Sequence, residues 1–195
     1  MKKTIILLTI ATLILTFTLF SQEQTADEKK MMEKYMELAT PGKNHKYLEY
    51  FTGDWDAYSK MWMKPGEKPM ESKGFQSGKM ILGGRYLWSK MVGQSIGGEF
   101  TGISITGYDN FHKKFKGNWI DSMGTGMYLA DGKLDATGKI RTDIGLWDDY
   151  VTGGKSKVKM VTTIINKDKF FFEMYMGMPD GKEFKSLEIT YTRKK

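Results

Sequence analysis

Residues 53–63 read GDWDAYSKMWM, and their alternation decides the fold class of the chain. Successive side chains of a β-strand point to opposite faces, so the odd positions from Trp55 to Met63 share one face. These odd positions are mainly apolar, whereas Asp56 and Lys60 lie on the other face. The stretch therefore predicts a strand with one face toward a core and one toward water.

The same kind of stretch repeats to the end of the chain. Aromatic residues make up 13% of the sequence and there are 22 glycines, which suits strands joined by tight turns. About ten strand-like runs follow one another without a helical pattern between them, which predicts an all-β, closed antiparallel barrel. The turn signals lie at Lys64-Pro65-Gly66, Asp109-Asn110, Asp131-Gly132, Thr137-Gly138, Gly153-Gly154, Asn166-Lys167-Asp168 and Pro179-Asp180-Gly181.

Alternation also predicts which side chains of the later strands face inward. Lys114 and Lys116 should face water, which places the residues between and after them on the inner side. Two further inner faces are expected close to the C-terminus. The predicted inner residues are Phe115, Trp119 and Asp121, then Phe170, Phe172, Met174 and Met176, and then Leu187, Ile189, Tyr191 and Arg193.

The N-terminal 21 residues have the layout of a secretory signal peptide. Lys2 and Lys3 precede an uncharged, apolar run over 4–20, and a polar stretch follows. We expect cleavage after Ser21, export to the periplasm or beyond, and no stable membrane span afterwards. The alternative is an uncleaved membrane anchor, although the run is short for a spanning helix and rich in threonine.

A helix is predicted between the signal peptide and the strands. Thr25 and Glu28 have the spacing of a capping box, and apolar residues then recur at helical spacing over 26–39. A second helical turn is expected over 45–51. The predicted organisation is thus a signal peptide over 1–21, a helical segment over 22–52 and a β-barrel domain over 53–195.

Charge and composition argue against several classes of function. The formal net charge is +7, but only Arg85, Arg141 and Arg193 are arginines, and the lysines are scattered, which is unlike a nucleic-acid site. There is no cysteine, so a disulfide, a thiolate nucleophile, a zinc–cysteine site and an N-terminal lipid attachment are all excluded.

Several motifs in order along the chain resemble those of the bacterial DUF1579 family. The motifs are Phe51-Thr52-Gly53-Asp54-Trp55-Asp56, Ile81-Leu82-Gly83-Gly84-Arg85-Tyr86-Leu87, Ile105-Thr106-Gly107-Tyr108-Asp109-Asn110, Trp119-Ile120-Asp121-Ser122-Met123-Gly124-Thr125-Gly126 and Glu188-Ile189-Thr190-Tyr191-Thr192-Arg193-Lys194. The family is similar to the calycins, the group that includes lipocalins. The resemblance implies a closed barrel and no defined activity. It also implies that Arg193 packs across Trp55 as a structural plug at one barrel end.

Histidines and methionines are weak candidates for chemistry. We expect His45 and His112 to be solvated surface residues, and we predict no metal site, no haem and no other cofactor. The period-two methionines around 61–63 and 174–178 could hold Cu(I), but such spacing on a strand more simply indicates one apolar face.

Polar and aromatic residues facing a cavity are the better candidates. Asp121 shares a predicted inner face with Trp119, and a buried carboxylate needs a partner, for which Arg85 is the candidate. Such a pair could orient a ligand against apolar walls, or could be purely structural. Met174 and Tyr191 complete the candidate ligand contacts.

Three functions follow from these residues. The first is an exported barrel that binds a small hydrophobic or amphiphilic molecule. The second is an enzyme of isomerase or lyase type that uses Asp121 as general base with Arg85 or Tyr191 beside it, although no inward histidine supports it. The third is a packed barrel that acts through its surface in the cell envelope. The sequence leaves catalysis and oligomeric state open.

Overall fold

The computed structural model describes residues 25–95, 97–148, 153–178 and 180–195. The predicted signal peptide and its cleavage site lie outside these residues. The described chain falls into two compact units that divide between Thr40 and Pro41. The elements are α1 (Ala26–Ala39), α2 (Lys43–Glu49), β1 (Gly53–Met61), β2 (Met70–Ile81), β3 (Tyr86–Ser95), β4 (Gly98–Asp109), β5 (Lys114–Asp121), β6 (Tyr128–Leu134), β7 (Ile140–Asp148), β8 (Lys155–Asn166), β9 (Lys169–Gly177) and β10 (Glu183–Arg193).

The ten strands form a closed antiparallel barrel, which confirms the predicted fold class. Each strand pairs with the next in the chain, and β1 closes the barrel by pairing with β10. In that closing pair Trp55 lies opposite Arg193 and Ala57 opposite Tyr191. Because directly paired residues point to the same face of a sheet, this register puts the predicted inner faces of β1 and β10 on the same side.

One end of the barrel, which we call the closed end, is filled by α2 and a cluster of aromatic residues. Leu48 and Trp55 are completely buried, and Phe115 retains 1% of its surface. Rings meet edge to face in this cluster, with Trp55 and Phe170 separated by 4.8 Å between centroids. The carbonyl of Phe51 approaches Gly78 so closely that a Cβ there would collide with it. The lack of a side chain at Gly78 therefore allows the segment after α2 to pack closely against β2.

Helix α1 matches its predicted bounds of 26–39. Its capping box is formed, because Glu28 N donates to Thr25 Oγ1 at 3.3 Å and Thr25 N donates to Glu28 Oε2 at 2.8 Å. No residue of α1 is buried, and its apolar side chains, among them Met31 and Tyr35, are exposed. Within the described ranges, no helix combines the length and the apolar composition needed to cross a membrane.

His45 differs from its prediction as a solvated residue. It is buried in α2, with 5% of its surface exposed, and its ring lies edge-on to Tyr108 at 5.9 Å between centroids. Its Nδ1 accepts a hydrogen bond from Gly42 N at 3.0 Å, and so it caps the helix. The prediction was wrong because α2 turns this face onto the barrel end. His112 is exposed, as expected, beside Asp109.

Candidate functional site

The Arg193 guanidinium lies over the Trp55 indole, 4.0 Å from the ring centroid. Its two terminal nitrogens donate to the carbonyls of Thr52 and Tyr50, each at 2.9 Å. Trp55 Nε1 in turn donates to the Phe51 carbonyl at 3.2 Å. Charge-assisted bonds and ring contact together tie β10 to the segment that enters β1.

The backbone conformation at Gly53 explains why a glycine occurs two residues before Trp55. Its φ is +87°, a conformation that side-chain-bearing residues rarely adopt. A Cβ at this position would also lie 3.3 Å from Arg193 Nη1. The Gly-x-Trp pattern thus leaves room for the guanidinium at the closed end.

The half of the barrel away from α2, the distal half, has a different interior. Large apolar side chains that the strand register points inward are half-buried there, six of them on β3, β5, β8, β9 and β10. Leu48 and Trp55 at the closed end are completely buried, so these inward-facing side chains are less covered than the core of the closed end, although Val158 on the same inner face is also completely buried. We call these six residues the inner wall: Met91, Trp119, Met160, Phe172, Met174 and Leu187.

Glycines on the inner face allow large rings to lie against the barrel wall. The Trp119 ring lies flat over Gly102 on the neighbouring strand, where a Cβ would collide with it. The Trp147 ring covers Gly145 in a similar way. The absence of a Cβ at these two positions therefore makes room for the two rings against the strands.

Trp119 is held in place by Asp121. Its Nε1 donates to Asp121 Oδ2 at 2.6 Å, and the other carboxylate oxygen accepts from Met123 N at 2.9 Å. The two side chains share the inner face of β5, as predicted. Both oxygens of Asp121 therefore have partners, which makes this carboxylate a positioning group for the tryptophan.

Arg85 does not meet Asp121. It lies in the turn between β2 and β3, exposed, with Nη1 donating to the Leu82 carbonyl at 3.2 Å. That turn is at the closed end, whereas Asp121 ends β5 at the distal end. The suggested Asp121–Arg85 pair is absent because β3 and β5 run in the same direction, with Arg85 before the start of β3 and Asp121 at the end of β5. Alternation does not reveal this long-range relation.

The other predicted contacts lie on the inner face. Met174 is half-buried between Met160 on β8 and Leu187 on β10. Tyr191 is buried and stacks on Phe170 at 4.3 Å between centroids, and its hydroxyl approaches Met91 Sδ at 3.6 Å. Burial raises the pKa of Tyr191, so its phenol is neutral at ordinary pH.

A buried polar group that was not singled out from the sequence lies between the closed end and the inner wall. Arg141 Nε donates to Asp143 Oδ2 at 2.8 Å, and the side chains are 14% and 10% exposed. Tyr47 of α2 and the Arg141 guanidinium both pack on Phe115, with centroid distances of 5.5 Å each. We call Tyr47, Arg141 and Asp143 the floor cluster. The alternation Arg141-x-Asp143-x-Gly145 was the available signal, because it places both charges on one strand face.

The ionisation of the floor cluster follows from its burial. Burial raises the pKa of Tyr47 to about 12. Burial alone would disfavour the Arg141 charge, but the neighbouring Asp143 carboxylate outweighs it and raises the pKa of Arg141. The cluster therefore contains a neutral phenol and a cation whose charge Asp143 balances.

No group of three or more metal-ligating His, Cys, Asp or Glu side chains occurs among the described residues. Met174 and Met160 are paired across β8 and β9 on the inner face, within the apolar wall. Of the methionines singled out by their spacing, Met174 thus belongs to the inner wall, whereas Met63 lies beyond the end of β1 and is exposed, as is Met176.

The closed ten-stranded antiparallel barrel, with Arg193 packed over Trp55 at one end, is a calycin-like fold. Residues 40–193 match the model of the DUF1579 family, described as a protein of unknown function, and the chain belongs to that family. No curated protein sequence matches the chain.

Solved structures that match the chain include a phycobiliprotein lyase and a redesigned β-barrel. The S-type phycobiliprotein lyase of Guillardia theta superposes with a TM-score of 0.57 at 10% identity, covering 78% of this chain and 93% of the lyase. A redesigned β-barrel covers 76% of this chain and 96% of its own, with a TM-score of 0.41 and 16% identity. At 10% identity the likeness to the lyase supports the fold alone.

Proposed function

We propose that this protein is an exported barrel that binds one small hydrophobic or amphiphilic molecule in the distal half. The observation that carries the proposal is the inner wall, whose large apolar side chains point inward yet stay half-buried. Covering such surface with an apolar ligand removes it from water, at about 25 cal/mol per Å². Apolar walls with few polar groups are typical of small-molecule sites.

Export is the second element of the proposal, and it rests on the sequence of residues 1–21. The N-terminal sequence of the protein recovered from cell fractions tests it. A start at Gln22 in a soluble envelope or secreted fraction supports export with cleavage. A start at Met1 in the membrane fraction would overturn it.

The flat placement of Trp119 gives the ligand site a defined contact. Phe100 stacks on it at 6.1 Å between centroids, with the ring planes 22° apart. A pair of aligned rings on the wall of an apolar space suits a flat or extended apolar group. We infer that Trp119 contacts the ligand and that Asp121 keeps the ring oriented.

Native mass spectrometry of protein purified from its own cells tests the binding function. The wild-type protein should carry a reproducible extra mass. Ala130 is half-buried and, by its pairing with Gly117, points inward, so Ala130→Trp should fill the space and give the apo mass. Lys133→Trp on the exposed outer face of the same strand is the matched control and should retain the extra mass.

Two results would contradict binding in the interior. One is a clean apo mass for the wild-type protein under gentle conditions. The other is the same extra mass in Ala130→Trp, with the barrel shown to be folded by circular dichroism, because the ligand would then lie elsewhere.

A further inference from the structure

The floor cluster has hydrogen-bonding capacity that the protein does not use. The Tyr47 hydroxyl is buried and has no hydrogen-bond partner among the described residues. Buried hydroxyls without a partner are uncommon in folded proteins, since each forfeits the hydrogen bond it would make with water. The bond of Arg141 to Asp143 uses Nε, so the two terminal nitrogens of the guanidinium are not needed for that ion pair.

The cluster borders the inner wall. Asp143 lies opposite Met160 across β7 and β8, and Met160 is part of that wall. Since Arg141 bonds to Asp143, its guanidinium extends along the inner face of β7 toward the distal half. A ligand in the distal half would therefore meet these donors at its inner end.

Charge determines which ligand group fits there. Asp143 already balances the Arg141 cation, and Tyr47 is neutral because burial raises its pKa. A carboxylate would add an uncompensated negative charge to a buried, neutral group, which is costly. A neutral acceptor oxygen, such as that of a ketone, ester or amide, could receive hydrogen bonds without that penalty.

We propose that the floor cluster is a polar subsite, in which Tyr47 and Arg141 donate to a neutral carbonyl oxygen of the bound molecule. The ligand class is therefore an apolar molecule that carries a neutral carbonyl group at one end. This proposal rests on the proposed binding function and extends it from an apolar site to one with a defined orientation.

Two matched probes test the subsite. One is a dimethylaminonaphthalene that bears a propionyl ketone, and the other is the same ring without the acyl group. Binding of each is followed by fluorescence with wild-type protein, with Tyr47→Phe, and with Tyr58→Phe, which removes a hydroxyl from the exposed outer face. Loss of one hydrogen bond should weaken the ketone probe about 2- to 12-fold in Tyr47→Phe. The acyl-free probe and the Tyr58→Phe control should change less than about twofold.

A stability measurement separates this role from a structural one. Because the Tyr47 hydroxyl has no hydrogen-bond partner among the described residues of the protein, Tyr47→Phe should raise the Tm by about 2–4 °C while it weakens the ketone probe. A lowered Tm would show that the hydroxyl serves the fold, and it would overturn the subsite.

The remaining outcomes are also decisive. Equal ketone affinity in wild-type protein and Tyr47→Phe overturns the subsite and leaves the binding function intact. Tighter binding of dodecanoate than of either probe, with the same dependence on Tyr47, overturns the neutral-head assignment. Failure of both probes and dodecanoate to bind wild-type protein overturns the proposed function and the subsite with it.

Discussion

Arg193 illustrates at the residue scale how one side chain holds the closed end. Arg193→Ala removes three charge-assisted hydrogen bonds, to the carbonyls of Thr52, Tyr50 and Lys167, together with the contact with Trp55. We expect a loss of about 2–4 kcal/mol in the free energy of unfolding, measured by urea denaturation. Arg193→Lys should recover little of it, because an ammonium cannot reach these carbonyls together as the planar fork does.

The exposed Arg85 is the matched control for that experiment. Its single bond to the Leu82 carbonyl lies at the surface, so Arg85→Ala should change stability by less than about 0.5 kcal/mol. An Arg193→Lys variant with the same free energy of unfolding as the wild-type protein would contradict this account. It would show that the hydrogen bonds to the Thr52 and Tyr50 carbonyls do not stabilise the closed end.

His45 gives a pH-dependent prediction. Burial is the main cause that lowers its pKa from 6.5, so the unfolded chain takes up a proton at this site more readily than the folded chain does. Stability should therefore fall as the pH decreases from about 7.5 to 5.5. In His45→Gln the side-chain oxygen can still cap Gly42 N but does not titrate, so part of that decrease should disappear.

Chemical denaturation of both proteins at each pH measures this effect. Carboxylates also change the pH dependence of stability, but at lower pH, because hydrogen bonds from His112 lower the pKa of Asp109 to about 2. Their contribution is the same in both proteins, so comparing the wild type with His45→Gln removes it. An identical pH dependence in the two proteins would show that His45 is not the titrating group.

Single residues also mark what the sequence could not predict. Alternation placed Trp119 and Asp121 on one face, which the structure shows. It could not bring Tyr47 beside Arg141, because these residues belong to α2 and β7 and meet only through the closed end. Nor could it show that His45 is buried, since the orientation of a seven-residue helix depends on what it packs against.

At the scale of the strands, Gly102 on β4 determines where the Trp119 ring of the neighbouring strand β5 can lie. Gly102→Ala would put a methyl group into the Trp119 ring and displace it from Asp121. We expect a destabilisation of about 1–3 kcal/mol together with a changed tryptophan emission spectrum. Gly97→Ala, where a Cβ meets nothing within 4 Å, is the control and should leave both unchanged.

An unchanged spectrum in Gly102→Ala would mean that Trp119 does not lie over β4.

The contact between Gly102 and the Trp119 ring could not be predicted from the sequence, although the strands themselves could. Period-two patterns and turn residues were sufficient to predict strands such as β1 and β10, because each pattern is local. The register that places Gly102 opposite Asp121 depends on the whole hairpin, and short motifs do not specify it.

The whole molecule divides its interior between two uses. The closed end is a core in which α2, Trp55, Phe115 and Phe170 are packed and buried. The distal half has large apolar side chains that are only half-buried, which contribute less to stability and are the basis of the proposed ligand site. The sequence predicted the barrel and its inner faces, but not this division of the interior. The division depends on which end of the barrel α2 packs against.

The methionines allow the central claim, a ligand inside the distal half, to be tested in one experiment. The chain has 15 methionines, of which Met91, Met160 and Met174 belong to the inner wall, whereas Met31 and Met127 are exposed on the outside. Methyl resonances of methyl-labelled protein are followed by NMR during titration with decanol. The account predicts saturable shifts for the three inner-wall methyls and none for the exposed pair. Shifts confined to exposed methyls, or none at all, would contradict it.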